Sequence, residues 1–260
     1  MSRLLDKLKT DILVADGAMG TLLYADGLES CHEYYNISHP ERILAIHQAY
    51  IAAGADIIQT NTYGAKRHRL KSFGHDKEVK AINQAAVHLA RQAAGDNTFV
   101  LGTIGASHGL KHCELSLEDI ISQTVEQARF LLETKQIDGL LLETYYDIEE
   151  REGALKALRP LTELPIITNV VLHEPGITEN GRPLVEAFSN LVMLGADIVG
   201  LNCHLGPYHM IQSFKQVPLF AQSYLSAYPN ASLLSFSSDD NETPYHFSQN
   251  ADYFEYCAKL

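Results

Sequence analysis

The sequence predicts an α/β fold with a parallel sheet, either a TIM barrel of the (β/α)8 type or an open sheet, from its length, the alternation of its elements and a repeated spacing of polar residues. The chain has 260 residues, which suits one large α/β domain better than two small ones. Short apolar runs alternate with longer amphipathic stretches, a pattern typical of a parallel sheet covered by helices on both faces. Four of the apolar runs begin at an Asp and reach a polar residue five positions later.

Seven apolar runs have the length of buried strands: Ile12–Ala15, Ile57–Thr60, Thr98–Gly102, Gly139–Leu142, Ile166–Val170, Ile198–Leu201 and Tyr224–Ala227. Helices are predicted near 40–53, 77–94, 117–134, 148–158, 184–193, 208–215 and 250–258. In the first of these, Pro40 suits the opening turn and Gly54 ends the helix. A barrel closes with eight strands, so either the eighth strand is missing or the sheet stays open. We expect one barrel domain over residues 1–260, incomplete at its C-terminus.

The composition predicts a folded, acidic protein. Hydrophobic residues make up 46% and charged residues 20%, which excludes bulk disorder. The net charge of −12 disfavours nucleic acid and anionic membranes as main partners, because both attract clustered Lys and Arg. There is no apolar run of 18 residues and no N-terminal secretion signal. We therefore expect a cytoplasmic protein with reduced cysteines.

The repeated spacing places four polar residues at the carboxyl ends of strands: Asp16, Asn61, Glu143 and Asn202. In α/β barrels that edge of the sheet carries the active site. Asp16 opens a turn in which Gly17 and Gly20 allow close backbone approach to a ligand. The turn lacks the phosphate-binding glycine pattern, and an Asp without a basic neighbour suits a ligand ammonium group. Glu143 is either a ligand contact or a helix-cap partner.

Cys203 also follows a predicted strand at this edge. It could be a nucleophile, a metal ligand or a small apolar residue. His204 is the adjacent base, but successive side chains of a strand point to opposite faces. We therefore expect Cys203 to point into the barrel mouth and His204 away from it.

The other thiols and imidazoles give weaker signals. His108, His112 and Cys113 could bind a metal, but Gly109 and the N-cap residue Ser116 favour a surface loop. Cys31 and Cys257 are interpreted as packing residues.

Six segments, in family order, resemble the homocysteine S-methyltransferase family: Asp16–Thr21, Gln59–Gly64, Leu101–Gly105, Leu141–Asp147, Gly200–Cys203 and Tyr228–Ala231. The resemblance implies a (β/α)8 barrel that moves a methyl group from a donor to the thiolate of homocysteine, giving methionine. The run Asn202–Met210 is most similar to the bacterial form fused to a methylenetetrahydrofolate reductase. That similarity implies a folate-dependent reductase domain elsewhere as a partner.

The resemblance also implies a zinc ion held by three cysteines, of which Cys203 matches one. The other two belong to a Gly-Gly-Cys-Cys-Gly motif that has no match in this sequence. We therefore expect little bound zinc and negligible methyl transfer from these 260 residues. Asp16 and Glu143 would hold the ammonium group of homocysteine, and backbone groups near Gly17 would hold its carboxylate. The residues that would shape the pocket or support the Cys203 sulfur are Asn61, Tyr63 and Asn202.

Three hypotheses follow from the sequence. The first is a homocysteine methyltransferase that uses methyl-folate, S-methylmethionine or S-adenosylmethionine as donor. The second is an incomplete barrel that binds no zinc and has no catalytic role. The third is a barrel lyase or aldolase, which is disfavoured because no predicted strand ends in a Lys that could form a Schiff base.

Overall fold

The described residues form one parallel sheet of six strands, in which each strand pairs with the next one along the chain. The computed structural model describes residues 2–28, 31–107, 115–218, 223–231 and 251–259. The strands are β1 (Ile57–Gln59), β2 (Phe99–Gly105), β3 (Gly139–Tyr145), β4 (Ile166–Val170), β5 (Ile198–Asn202) and β6 (Tyr224–Tyr228). All five pairings are parallel.

Helices precede the sheet and follow its strands. They are α1 (Arg3–Leu8), α2 (Gly20–Ala25), α3 (Tyr35–Ser38), α4 (Pro40–Ala52), α5 (Arg67–Lys71), α6 (Val79–Ala94), α7 (Leu117–Glu133), α8 (Ile148–Leu158), α9 (Leu184–Met193), α10 (Pro207–Phe214) and α11 (Ala251–Ala258). Short 3-10 turns cover His32–Tyr34 and Arg159–Leu161. None of the helices in the described ranges is both long and apolar enough to cross a membrane.

The main hydrophobic core lies between the sheet and the helices that follow its strands. It includes fully buried side chains of α6, α7, α8 and α9, namely Val87, Leu131, Leu155 and Phe188. A second cluster fills the inside of the sheet and joins Ile57 of β1 to Ile198 of β5. The cluster has members on five consecutive strands, and the sheet that carries them is curled as in part of a barrel.

Helix α1 covers the inner cluster at the amino edge of the sheet. Leu4 is buried against the inner side chains, and the Tyr224 hydroxyl of β6 donates to the Leu5 carbonyl at 3.4 Å. The interior is therefore packed at the amino edge, which leaves the carboxyl edge for a ligand.

The first predicted strand, Ile12–Ala15, is wrong as a strand, so the described sheet has six strands rather than seven. Only Ala15 forms a parallel bridge, with Ile57. Ile12 and Val14 are 94% and 58% exposed. The prediction expected both to be buried, but none of the described residues covers them. The pairing still aligns Asp16 with β1, because its N–H donates to the Ile57 carbonyl at 2.9 Å.

Strand β3 has a β-bulge at its carboxyl end. Leu142 pairs with Thr168 and Tyr145 pairs with Val170, so Glu143 and Thr144 together oppose a single residue of β4. Thr144 has a φ of 58°, which is unusual for a β-branched residue. The bulge interrupts the alternation of side chains at the position where the sequence predicts a ligand contact.

Candidate functional site

Asp16 is a buried carboxylate at the carboxyl edge of the sheet. One oxygen, Oδ2, accepts a hydrogen bond from the Gln59 N–H at 2.8 Å. The other, Oδ1, is buried and has no hydrogen-bond partner in the part of the chain that the structure describes. Burial raises the pKa of Asp16 to about 8; the Gln59 hydrogen bond opposes this rise and the charge of Glu143 adds to it.

Glu143 lies close enough to Asp16 for the two carboxylates to interact. Its side chain is partly exposed, and removal from bulk water raises its pKa to about 7. Burial is the main cause of the raised pKa values of the Cys203 thiol and of the Tyr63 and Tyr228 hydroxyls. The charge of Glu143 raises these pKa values further. The side chains of Asp16, Tyr63, Glu143, Cys203 and Tyr228, which come from five parts of the chain, therefore form one cluster at the carboxyl edge of the sheet.

A cluster with two such carboxylates favours a cationic ligand. Each carboxylate resists ionisation because it has lost water without gaining a positive partner. No ion pair with either carboxylate is found among the described residues. An ammonium group placed between them would supply the missing charge and stabilise both ionised forms.

Cys203 follows directly after β5 and belongs to this cluster. Its Sγ accepts a hydrogen bond from the Asn202 Nδ2 at 3.3 Å and lies 3.8 Å from the Thr144 Oγ1. Burial raises the pKa of the Cys203 thiol, Glu143 raises it further, and the two hydrogen bonds oppose the rise. Cys203 as a residue is only partly buried, unlike Cys31 and Cys257.

His204 is oriented by a turn rather than by strand alternation. Strand β5 ends at Asn202, and both Cys203 and His204 have left-handed backbone conformations, with φ values of 60° and 55°. The His204 Nε2 is hydrogen-bonded to the Tyr146 hydroxyl at 2.9 Å, and its ring packs against His173 at 4.6 Å. The argument from alternating strand positions therefore does not apply to His204.

The side-chain amides of Asn61 and Asn202 form hydrogen bonds to other groups of the protein. The Asn61 Nδ2 donates to the His32 carbonyl at 2.7 Å and to the Asn36 Oδ1 at 3.1 Å, so it holds that segment against β1. Asn202 is fully buried and binds Thr144 and the sulfur of Cys203. Asn202 is thus placed to support the sulfur, one of the two roles considered from the sequence.

Gly17 and Tyr63 both follow residues of the carboxyl edge, Gly17 directly after Asp16 and Tyr63 shortly after β1. A Cβ at Gly17 would come within 2.8 Å of the Tyr50 hydroxyl oxygen, and that hydroxyl donates to the Ala18 carbonyl at 2.8 Å. Tyr63 is partly exposed, and its carbonyl accepts from the Gly105 N–H at 2.9 Å. Glycine at position 17 therefore lets Tyr50 hold the turn that carries Asp16.

Two residues of the site were not predicted. Tyr228 ends β6, and its carbonyl accepts the Cys203 N–H at 3.1 Å. The rule that strand carboxyl ends meet at one edge could have found it. Thr144 follows Glu143 on a regular strand pattern, and nothing in the spacing of the sequence indicates the bulge that turns it toward Cys203.

The described residues do not fit a complete zinc site. No group of three His, Cys, Asp or Glu side chains in the described ranges could hold a metal ion. Cys31 and Cys257 are buried elsewhere, as expected of packing residues. His108, His112 and Cys113 lie outside the described residues. Within the described ranges Cys203 is thus a single thiol at this edge, too few ligands for a tetrahedral site.

The fold and this cluster define a barrel-type α/β protein that carries two carboxylates and a thiol at the carboxyl edge of its sheet. The family model of homocysteine S-methyltransferase matches residues 13–259. Since this match covers nearly the whole chain, the protein belongs to the homocysteine S-methyltransferase family.

Two curated relatives are methionine synthases. The chain is 29% identical to that of Mycobacterium tuberculosis (strain ATCC 25618 / H37Rv) over 260 residues, which is 93% of this chain and 22% of that protein. The corresponding values for Mycobacterium leprae (strain TN) are 28%, 93% and 22%. The chain therefore spans about a fifth of the length of these relatives.

The fold is similar to crystal structures of the homocysteine methyltransferase MmuM from Escherichia coli. For its metallated form the TM-score is 0.71 at 25% identity, covering 82% of this chain and 81% of that chain. For its oxidized form the TM-score is 0.73 at 26% identity, covering 87% and 84%. The curled sheet described above is thus shared with a protein of the same family.

Proposed function

We propose that this chain binds homocysteine at the carboxyl edge of its sheet and presents the substrate sulfur for methylation to methionine. The observation that carries the proposal is that Asp16, with a buried oxygen that has no hydrogen-bond partner among the described residues, and Glu143 lie with Cys203 at the carboxyl edge of the sheet. An amino acid with a thiol side chain matches this arrangement, because its ammonium group suits the two carboxylates and its sulfur suits the position beside Cys203.

In this proposal each end of homocysteine has a defined place. Its ammonium group lies between Asp16 and Glu143, and its carboxylate faces the backbone after Ala15, near Gly17. Its sulfur extends toward Cys203. The thiol must first lose its proton, because the thiolate is the nucleophile. The sulfur then attacks the methyl carbon in line: a carbon–sulfur bond forms, and the electron pair of the broken bond stays on the donor.

We also propose that Cys203 is one of three thiolate ligands of a zinc ion. When bound, such an ion would favour the thiolate form of the substrate. A metallated form of the MmuM protein supports this proposal, whereas the described residues of this chain supply only one of the thiols.

Three methyl donors fit the proposal: a methyl-folate, S-methylmethionine and S-adenosylmethionine. The methionine synthases that match this chain are several times longer, which supports a function alongside other domains. A folate-dependent reductase domain elsewhere and a cytoplasmic location belong to the same proposal.

Substrate binding tests the proposal directly. Titration calorimetry with homocysteine compares the unmodified protein with Asp16→Asn and Glu143→Gln. Each change removes one charge-assisted contact, so we expect affinity to fall by about tenfold or more. The matched controls Asp96→Asn and Glu163→Gln alter exposed residues that precede β2 and β4 at the opposite edge, and should bind normally. Unchanged affinity in both site variants would overturn the assignment.

The second candidate function is a barrel without zinc or catalysis. It is favoured by the single thiol at the carboxyl edge of the described residues. Metal analysis of the purified chain separates the two candidates. One tightly held zinc per chain that is lost in Cys203→Ser contradicts the second candidate, whereas metal-free protein that also fails to bind homocysteine supports it.

A further inference from the structure

Thr144 and Asn202 form a reciprocal pair of hydrogen bonds between β3 and the end of β5. The Thr144 N–H donates to the Asn202 Oδ1 at 3.0 Å, and the Asn202 Nδ2 donates to the Thr144 Oγ1 at 2.6 Å. The same Nδ2 donates to the Cys203 Sγ at 3.3 Å. The buried amide of Asn202 therefore connects the bulge of β3 to the Cys203 sulfur. Thr144 and Asn202 are 58 positions apart in sequence.

The backbone on both sides of this pair is in an unfavourable conformation. Thr144, Cys203 and His204 all have positive φ values, and they are three of the four non-glycine residues that do so among the described residues. Such conformations persist only when surrounding interactions determine them, and they concentrate at functional sites. The Thr144–Asn202 pair joins the two strained segments, and the Thr144 Oγ1 also lies 3.8 Å from the Cys203 Sγ.

We propose that Thr144 is a positioning residue that fixes the Cys203 sulfur in the site through the Asn202 amide. Asn202 is fully buried and Thr144 is 8% exposed. The hydrogen bonds that connect this pair to the sulfur are therefore shielded from bulk water. The Thr144 hydroxyl fixes the amide orientation by accepting one of its hydrogens, which directs the other donor of the same nitrogen toward sulfur. The β-bulge places the Thr144 hydroxyl next to the Asn202 amide. In a regular strand, the side chain of Thr144 would point to the face opposite to that of Glu143 and Tyr145.

Three substitutions separate this role from ordinary packing. Thr144→Val keeps the shape and removes the hydroxyl, and Thr144→Ser keeps the hydroxyl and reduces the side chain. The control is Thr168→Val in β4, where the hydroxyl is buried and has no hydrogen-bond partner in the described structure. If Thr144→Val does not fold, Thr144→Ala replaces it, because alanine also lacks the hydroxyl and is less strained.

The main measurement is the carbon-13 shift of the Cys203 Cα and Cβ, which reports the backbone and side-chain conformation of that residue. We expect Thr144→Val to move both shifts, Thr144→Ser to retain them, and Thr168→Val to leave them unchanged. Unchanged shifts in Thr144→Val, or equal changes in the Val and Ser variants, would overturn the role of the hydroxyl.

Homocysteine affinity is a second readout, which rests on the proposed function. A loss of about fivefold in Thr144→Val that Thr144→Ser restores would support the role of Thr144 in the site. If the unmodified protein does not bind homocysteine, the proposed function fails, and the Cys203 shifts still decide the positioning role. Normal binding by the unmodified protein with equal losses in Thr144→Val and Thr168→Val would overturn the inference alone.

Discussion

At the scale of single residues, the carboxylates of the site lower the stability of the folded protein. Asp16 and Glu143 have raised pKa values because burial removes water from groups that have no positive partner among the described residues. A hydrophobic or amide side chain would be more stable there in the absence of ligand. The two acids are therefore better explained by a cationic ligand than by the needs of folding.

The pH dependence of stability tests the environment of Asp16. The pKa of Asp16 is about 8 in the folded protein and near 3.8 when unfolded, so the folded state holds a proton that the unfolded state releases. This group stabilises the fold fully below pH 4, and its contribution declines as pH rises toward 8. Asp16→Asn cannot ionise, so its stability advantage over the unmodified protein should grow between pH 5 and 8, to about 1 kcal/mol or more. Urea unfolding at both pH values measures this difference, and a pH-independent difference would contradict the account.

At the scale of elements, periodicity predicted most of the sheet. Six of the seven predicted strands are present, and every predicted helix is found near its expected bounds. The first strand failed because an apolar run signals burial only when something covers it, and Ile12 is left exposed. Whether a run is covered depends on the other elements around it, which local pattern does not reveal.

The site was predictable where it depends on topology alone. Asp16, Glu143 and Cys203 were singled out because the carboxyl ends of parallel strands meet at one edge. Thr144 and the contacts of His204 were not, because a β-bulge and a left-handed turn arise from packing rather than from residue spacing. The sequence thus located the edge, while the detailed geometry required the structure.

The contact between β5 and β6 provides a prediction at this scale. A Cβ at Gly200 would lie 2.0 Å from the Ser226 Oγ and 2.2 Å from the Ser226 carbonyl oxygen. Gly200→Ala should therefore force the strands apart and destabilise the protein by about 1–3 kcal/mol.

Gly181→Ala is the control for this change. Its added methyl meets nothing within 4 Å, so only the positive φ of 79° opposes it, at a cost of about 1 kcal/mol. Chemical denaturation compares the two variants, and equal losses of stability would show that β5 and β6 are not packed as described.

At the scale of the whole molecule, the hydrophobic core contains one charge that the described structure leaves unpaired. Arg151 in α8 is fully buried, and none of its three guanidinium nitrogens has a hydrogen-bond partner in the described part of the chain. Burial lowers its pKa to about 10. Arg151→Met should therefore stabilise the fold by about 1–4 kcal/mol, since methionine fills similar space without a charge.

Arg159 supplies the matched contrast for Arg151. It pairs with Asp197 at 2.9 Å and donates to the Leu164 carbonyl, so Arg159→Met should destabilise the protein. Thermal unfolding measures both variants, and roughly 2–4 °C corresponds to 1 kcal/mol in a chain of this size. A lower melting temperature in Arg151→Met would mean that the guanidinium has a stabilising partner.

The central claim is that Asp16 and Glu143 together recognise the ammonium group of homocysteine. Calorimetric titration with homocysteine and with 4-mercaptobutanoate, which lacks only that ammonium group, tests it most directly. We expect the unmodified protein to prefer homocysteine by about tenfold or more, since charge-assisted hydrogen bonds contribute about 1.5–3 kcal/mol each. The double variant Asp16→Asn, Glu143→Gln should bind both ligands with similar, weak affinity. Equal affinity of the unmodified protein for the two ligands would contradict the account.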